Sequence, residues 1–154
     1  MNIENLAEYQ IAVLIPCLNE EAAIVDVVNS FQEHLPSAKI YVFDNSSDDG
    51  TVEQASKTSA EVFHVSKRGK GNVVRSMFRT IVADIYVLVD GDGTYGAEDI
   101  SKLIAPVVEG SVDMVVGDRL SSSVYDQQNT RRFHGFGNRL VRWLISKLYR
   151  TECK

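Results

Sequence analysis

Five short apolar runs, at 11–15, 39–43, 61–65, 85–89 and 112–116, recur along this chain with segments of helical period between them. The intervening segments predict helices over 20–35, 51–57, from the 67–71 loop through about 83, and over 98–108. In the first of these, Ile24, Val27, Val28 and Phe31 fall at core spacing and acids occupy the first turn. The second begins after several aspartates, one of which is expected to cap it. Pro106 should kink or end the fourth. Strands alternating with helices at this spacing mean βαβ units, right-handed crossovers and a doubly wound parallel sheet.

The run at 85–89 (Ile-Tyr-Val-Leu-Val) reads as a fully buried strand, because it is continuously apolar and bounded by glycines. It leads directly into Asp90-Gly91-Asp92-Gly93. Ligands of open α/β sheets bind at the carboxyl ends of the strands. Two carboxylates at i and i+2 leave an extended backbone on the same side, which suits a hard divalent cation with oxygen ligands. The competing reading is a solvated turn, since Asp and Gly are ordinary turn residues. Four of the five strand ends carry polar groups that could share one crevice: 16–20, Asp44, Asp90 with Asp92, and Arg119. A solvated turn explains one such end less awkwardly than four.

At 154 residues, with 44% hydrophobic and 24% charged content, the chain is about one soluble globular domain. It has no apolar stretch long enough to span a bilayer and no basic-then-apolar leader, so neither a spanning helix nor a signal peptide is expected. Cys17 and Cys153, far apart, suggest no disulfide framework or zinc site, and a reducing cytoplasm is the expected compartment. The net charge of -5 is uneven: residues 1–130 carry nine Lys/Arg against twenty Asp/Glu, and residues 131–154 carry seven against Glu152 alone. The body is therefore acidic and the end basic, which suggests an anionic partner for that end. Nucleic acid is not among the expected partners. Residues 120–130 read as a polar loop, and 131–150 as a basic amphipathic helix weakened near Gly135 and Gly137. Its stripe is Phe133, Phe136, Leu140, Leu144 and Leu148, with Trp143 and Tyr149 as interfacial side chains. The stripe suits either packing on the sheet or peripheral contact with a membrane surface or lipid phosphate.

The first strand is followed by Pro16-Cys17-Leu18-Asn19-Glu20, so both a dinucleotide fingerprint and a P-loop are absent. Five motifs occur in order instead: 15–20 (Ile-Pro-Cys-Leu-Asn-Glu), 44–51 (Asp-Asn-Ser-Ser-Asp-Asp-Gly-Thr), Arg68-Gly69-Lys70-Gly71, Asp90-Gly91-Asp92-Gly93, and Gly117-Asp118-Arg119. Over about residues 10–150 this resembles the nucleotide-sugar-binding half of a family 2 glycosyltransferase, and within it most of all the dolichyl- or polyprenyl-phosphate sugar transferases. The resemblance implies a GT-A fold: a Rossmann-like α/β domain over 1–130, with a mostly parallel sheet and helices on both faces. The basic helix, 131–154, would be its acceptor- or membrane-facing part.

The resemblance also implies roles. Pro16, Leu18 and Glu20 would line the base and ribose pocket, and Asp44 would accept hydrogen bonds there. Lys70 would approach the nucleotide. Asp90, Gly91 and Asp92 would meet the donor, with Asp90 and Asp92 holding Mg²⁺ or Mn²⁺ against its diphosphate. Arg119 would bind the acceptor phosphate, with Arg131 or Arg132 as a second, through paired hydrogen bonds from planar guanidinium groups. Asp92 and Arg119 would thus carry catalysis. Simpler readings stand beside these: Glu20 as a helix-terminal acid, Asp44 as an Asx-turn residue, Lys70 as a solvated lysine, and Arg119 as a partner of Asp113 or Asp118. Thr94 stands where relatives often place a third ligand, and a water could complete the shell.

The expected activity is metal-dependent, inverting transfer of a sugar from a UDP- or GDP-linked donor to a lipid phosphate. The chain stops where the family continues with an Asp-rich segment and a Gly-aromatic-Arg or Gly-aromatic-Lys motif. A truncated domain that holds nucleotide without turnover is therefore the alternative. A sugar nucleotidyltransferase fits less well, because no glycine-rich loop bearing Arg and Lys follows the first strand.

Overall fold

The computed structural model describes Leu6 and residues 8–117. The basic segment 131–154, the polar loop before it, and Asp118, Arg119, Arg131 and Arg132 lie outside the described residues. Strands β1 (Ile11–Cys17), β2 (Lys39–Asp44), β3 (Glu61–His64) and β4 (Ile85–Leu88) form one sheet in the order β3-β2-β1-β4. Every pairing is parallel. Helices α1 (Ile24–His34), α2 (Thr51–Ala55), α3 (Lys70–Thr80) and α4 (Ile100–Val108) alternate with the strands. The chain builds outward from β1 through β2 to β3, then returns to lay β4 on the other side of β1. Strand order reverses between β1 and β4, and at such a switch point a crevice opens at the carboxyl ends.

The core forms on both faces of the sheet. Ile11, Val13, Ile15 and Cys17 of β1 join Ile24, Val28 and Phe31 of α1 and Ile100 and Ile104 of α4 in one cluster. Ala12 and Leu14 turn the other way and meet Phe43 and the α3 residues Val73 and Met77. Only Pro16 of the seven β1 residues escapes full burial. Each buried Leu, Ile or Val contributes about 1.5–3 kcal/mol, so the central strand anchors whatever its carboxyl end carries.

Several sequence expectations change, among them the second helix, which ends at Ala55 rather than 57, and the fourth, which starts at Ile100 rather than 98. β4 is not buried on both faces: Ile85 and Val87 face the core, while Tyr86 and Leu88 are 36% and 48% exposed. Among the described residues β4 is an edge strand, so one side of it lacks cover. Tyr86 is still anchored, with its ring edge-on to Phe78 at 5.1 Å and its hydroxyl donating to Ile81 O and accepting from Ala83 N. No strand forms at 112–116 among the described residues, and Met114 and Val116 are each 76% exposed. The β-propensity of Val and Met reflects packing on a pleated neighbour, and this run pairs with none among the described residues. The first helix starts at Ile24 rather than 20, because residues 20–23 form a turn in which Ala23 N and Ile24 N both donate to Glu20 O. The third helix ends at Thr80 rather than about 83, and Ile81 already has an extended backbone. Pro106 sits inside the last turn of α4, which ends two residues later at Val108.

Candidate active site

The crevice is built from loops stitched to one another. Asn19 takes a left-handed backbone (φ 60), as does Ser46 (φ 64), two non-glycine residues in a costly conformation at adjoining strand ends. Reciprocal bonds explain how they stay there. Asn19 N donates to Ser47 Oγ at 3.0 Å, and Asp48 N donates to Asn19 Oδ1 at 3.0 Å. Glu20 N donates to Thr51 Oγ1 at 2.8 Å, Glu21 N to Asp49 Oδ2 at 3.2 Å, and Gly50 N to Glu21 Oε2 at 3.0 Å. Asp49 also accepts from Thr51 N at 2.9 Å, so one of the expected aspartates does serve the start of α2, from one residue outside its N-cap.

Asp44 ends β2 and is 1% exposed. Its carboxylate accepts from Ser46 N and Ser47 N, so the Asx-turn reading holds locally, and it also faces His64 Nδ1 at 3.1 Å. The neighbouring Asn45 is buried and fully used. Its amide nitrogen donates to Val65 O (2.8 Å) and Lys67 O (3.0 Å), and its Oδ1 accepts from Gly69 N (2.7 Å). Asn45 thereby pins the 65–69 loop to the end of β2. Arg68 closes the same junction by donating to Ser46 O at 3.0 Å. Gly69 sits at φ 117, which favours glycine, and releases the chain into α3. Lys70, the first residue of α3, reaches across to Asp90 Oδ1 at 2.5 Å, so it is not a free solvated lysine.

Asp90, Gly91 and Asp92 follow β4 at the switch point. Gly91 is buried, and a Cβ on it would lie 2.6 Å from Cys17 Sγ, so the turn between the two acids is pressed against the end of β1. Asp92 is exposed, and its Oδ1 accepts from Thr94 N at 2.9 Å; the threonine thus meets the aspartate through its backbone. Leu18, directly after β1, is 45% exposed, and Pro16 is half-buried in β1.

Beside these loops lies a cavity of about 660 Å³ whose lining includes Glu20, Glu21, Asp49 and Asp92. The clustering of acids acts on their titration. Burial, then Asp92, Asp49 and Asp90 in turn, hold the Glu20 carboxyl above its ordinary value. Burial pushes the Cys17 thiol up to about 12, with Glu20, Asp44, Asp90 and Asp49 adding to it. The Thr51 hydroxyl, donating to Asp49, lowers that carboxyl instead.

The structure therefore brings together Pro16, Leu18, Glu20, Asp44, Lys70, Asp90, Gly91 and Asp92 at the carboxyl edge of the sheet. Sequence reasoning overlooked Asn45 and His64. Asn45 stood inside a quoted motif, but nothing showed that its side chain would hold a loop twenty residues on. His64 gave no signal beyond its place at a strand end.

A parallel sheet with a polar crevice at its switch point is the layout of a ligand-binding α/β domain. The profile of glycosyl transferase family 2 matches residues 12–152, and the chain belongs to that family. Protein RfbJ of Shigella flexneri is 47% identical over 82% of this chain and 96% of its own length. The UDP-N-acetylglucosamine–dolichyl-phosphate N-acetylglucosaminyltransferase of Methanococcus voltae is 27% identical over 96% of this chain and 67% of its own. Among solved structures, glucosyl-3-phosphoglycerate synthase of Mycobacterium tuberculosis, in complex with Mn²⁺, UDP and glucosyl-3-phosphoglycerate, superposes with a TM-score of 0.62 at 25% identity. That match covers 70% of this chain and 44% of the synthase, so the chain spans less than half the solved relative's length. The described residues have a GT-A-like α/β fold. No helix among the described residues is long and apolar enough to cross a membrane.

Proposed function

We propose that this chain acts in metal-dependent, inverting transfer of a sugar from a nucleoside-diphosphate sugar to a polyprenyl phosphate. The observation that carries the reading is the acidic crevice at the switch point, where Asp90 and Asp92 stand beside Glu20 and Asp49. A donor diphosphate brought there meets carboxylates, and the repulsion calls for a cation between them. Asp90 and Asp92 would hold it. They offer hard oxygen ligands, and no group of three or more candidate ligands exists among the described residues. Two carboxylates with the remaining positions left to phosphate oxygens and water suit Mg²⁺, and Mn²⁺ takes similar ligands. Such an ion supplies neutralisation of the charge that develops on the departing nucleoside diphosphate.

The chain's own residues do the rest. Pro16, Leu18 and Glu20 line the base and ribose end, and Asp44 accepts from them. Lys70 adds a positive charge beside Asp90 and would approach the nucleotide. Asp90, Gly91 and Asp92 form the floor against the diphosphate. Arg119, Arg131 and Arg132 bind the acceptor phosphate. An ionised phosphate oxygen needs no general base to attack the anomeric carbon, so direct displacement with inversion rests on positioning and charge neutralisation. The relative named for UDP-N-acetylglucosamine and dolichyl phosphate supports a uridine donor and a lipid-phosphate acceptor, and guanine is the other base the pocket chemistry suits. The core over 1–130 would then lie at the inner face of a membrane, with 131–150 in peripheral contact.

A second reading is a domain that holds nucleotide without turnover. Thermal melting separates the two. UDP or GDP should raise the melting temperature only with Mn²⁺ or Mg²⁺, and Asp92→Ala should abolish the rise. A nucleotide shift that ignores the metal, or none at all, would refute the metal and donor assignments. Release of nucleoside diphosphate from donor plus polyprenyl phosphate identifies the enzyme; binding without release identifies the second reading.

A further inference from the structure

Helix α3 and the loop before it differ in charge from the rest of the described chain. Lys67, Arg68, Lys70, Arg75 and Arg79 are five of the nine Lys/Arg of residues 1–130, and no acid lies between 67 and 83. The remainder of 1–130 carries four Lys/Arg against twenty Asp/Glu. Beside the other helices a lysine has an acid for company: Lys57 pairs with Glu53 at 2.8 Å, and Lys102 with Asp99 at 2.5 Å. On α3, Lys70 is taken by Asp90, but among the described residues neither Arg75 nor Arg79 has an ion-pair partner. These two stand at i and i+4, where like charges repel and weaken a helix. Their repulsion is relieved by an anion brought from outside.

Burial divides the helix. Val73 and Met77 are fully buried against Ala12 and Leu14 of β1 and Phe43 of β2. Arg75 and Arg79 are exposed. Phe78, one turn beyond Arg75 and next to Arg79, is 50% exposed, and Val82, just past the helix end, is 88% exposed. The edge-on contact with Tyr86, at 5.1 Å between centroids, covers only part of the Phe78 ring. Apolar side chains set among cations suit the boundary between lipid headgroups and acyl chains. There the ring and the valine enter the apolar side and the guanidinium groups stay at the phosphates. A flat anionic surface also meets one basic face without having to approach the acids carried elsewhere.

We propose that the outward face of α3 is a contact surface for an anionic lipid bilayer, with Arg75 and Arg79 at the headgroup phosphates and Phe78 and Val82 at the acyl boundary. The inference rests on the membrane-side placement proposed above and adds a second contact to that of 131–150. Because α3 begins at Lys70, which is bonded to Asp90, a bilayer against this helix lies beside the candidate donor site.

Vesicle flotation of the full chain tests this, with phosphatidylcholine alone and with phosphatidylcholine mixed with phosphatidylglycerol. The proteins compared are wild type, Arg75→Gln/Arg79→Gln, Phe78→Ala and Arg139→Gln/Arg142→Gln. A basic residue near an anionic surface is worth about fivefold in partitioning, so the α3 double variant should bind the mixed vesicles about twentyfold more weakly than wild type. Phe78→Ala should weaken binding about fivefold, as expected for burying half a phenyl ring. Wild-type binding should fall with added salt and be weak on phosphatidylcholine alone. Both α3 arginines are exposed, so their double variant should melt within about 2 °C of wild type. Unchanged partitioning in that variant, with loss in Arg139→Gln/Arg142→Gln, would overturn the inference and leave the membrane contact to 131–150. Full binding by Phe78→Ala would overturn the apolar half of the contact. A wild type that ignores the mixed vesicles would overturn the membrane-side placement and this inference together. If it instead binds a DNA duplex, and the α3 double variant does not, the face belongs to a nucleic-acid partner.

Discussion

Replacing Gly91 by alanine probes the contact that sets the turn between the two candidate metal-binding acids. The added methyl would sit 2.6 Å from Cys17 Sγ, while its next neighbours, Glu20 Cγ and Ile15 Cγ2, lie at an ordinary 3.5 Å. The sulfur contact alone is short, by about 1 Å against a relaxed heavy-atom contact. Gly91 is not among the described glycines with positive φ, so the backbone accepts alanine and the cost is steric. Cys17 is buried at the end of the central strand and cannot swing aside freely. Overpacking of this kind costs about 1–3 kcal/mol. Cys17→Ala alone removes the sulfur and leaves a small void, at about 1 kcal/mol. Combining the two puts the new methyl where the sulfur was, so the double variant should recover about 1–2 kcal/mol relative to the sum of the single changes. Urea unfolding at an unchanged m-value measures this coupling. The metal-dependent nucleotide shift should follow the same order, lost in Gly91→Ala and partly regained in the double variant. Additivity within about 0.5 kcal/mol would show that the Gly91–Cys17 contact does not set the turn.

Two further outcomes follow from the site. Because the Glu20 carboxyl sits above its ordinary value of 4.5 in the folded chain, the native state keeps that proton to higher pH than the unfolded chain does. Stability is therefore lost as pH rises from the ordinary range through the raised value. In chelator, Glu20→Gln should melt higher than wild type at about pH 7.5 and equal to it at about pH 4, and the reverse order would refute the direction of the shift. Asn45→Ala leaves Gly69 N and two loop carbonyls without their partner, at a cost of about 3 kcal/mol or about 6–12 °C in melting temperature. It should also weaken nucleotide binding by loosening the loop that carries Lys70, so a variant as stable as wild type would remove Asn45 from its pinning role.

The alternation of apolar runs and helical segments was enough to place four strands and four helices within a few residues. Burial of the alternate faces dominates their energetics, and that pattern is local. The motifs at 15–20, 44–51 and 90–93 likewise fell at the ends of described strands. The sequence suggested a strand buried on both faces at 85–89 and a fifth strand at 112–116, and the described residues show neither. Whether an apolar run is covered depends on which strand lies beside it, and the one-dimensional pattern does not contain that neighbour.

What the sequence determined by itself was therefore the class of fold, the family, and the list of polar residues at the strand ends. The tertiary structure decided which of those residues act on one another. Parallel register set His64 against Asp44, and the crossover through α3 brought Lys70 to Asp90 across twenty residues. The close approach of β1 and β4 pressed Gly91 against Cys17 Sγ. Hydrogen bonds and steric contacts act over a few ångströms of space, and only the folded sheet makes those distances short.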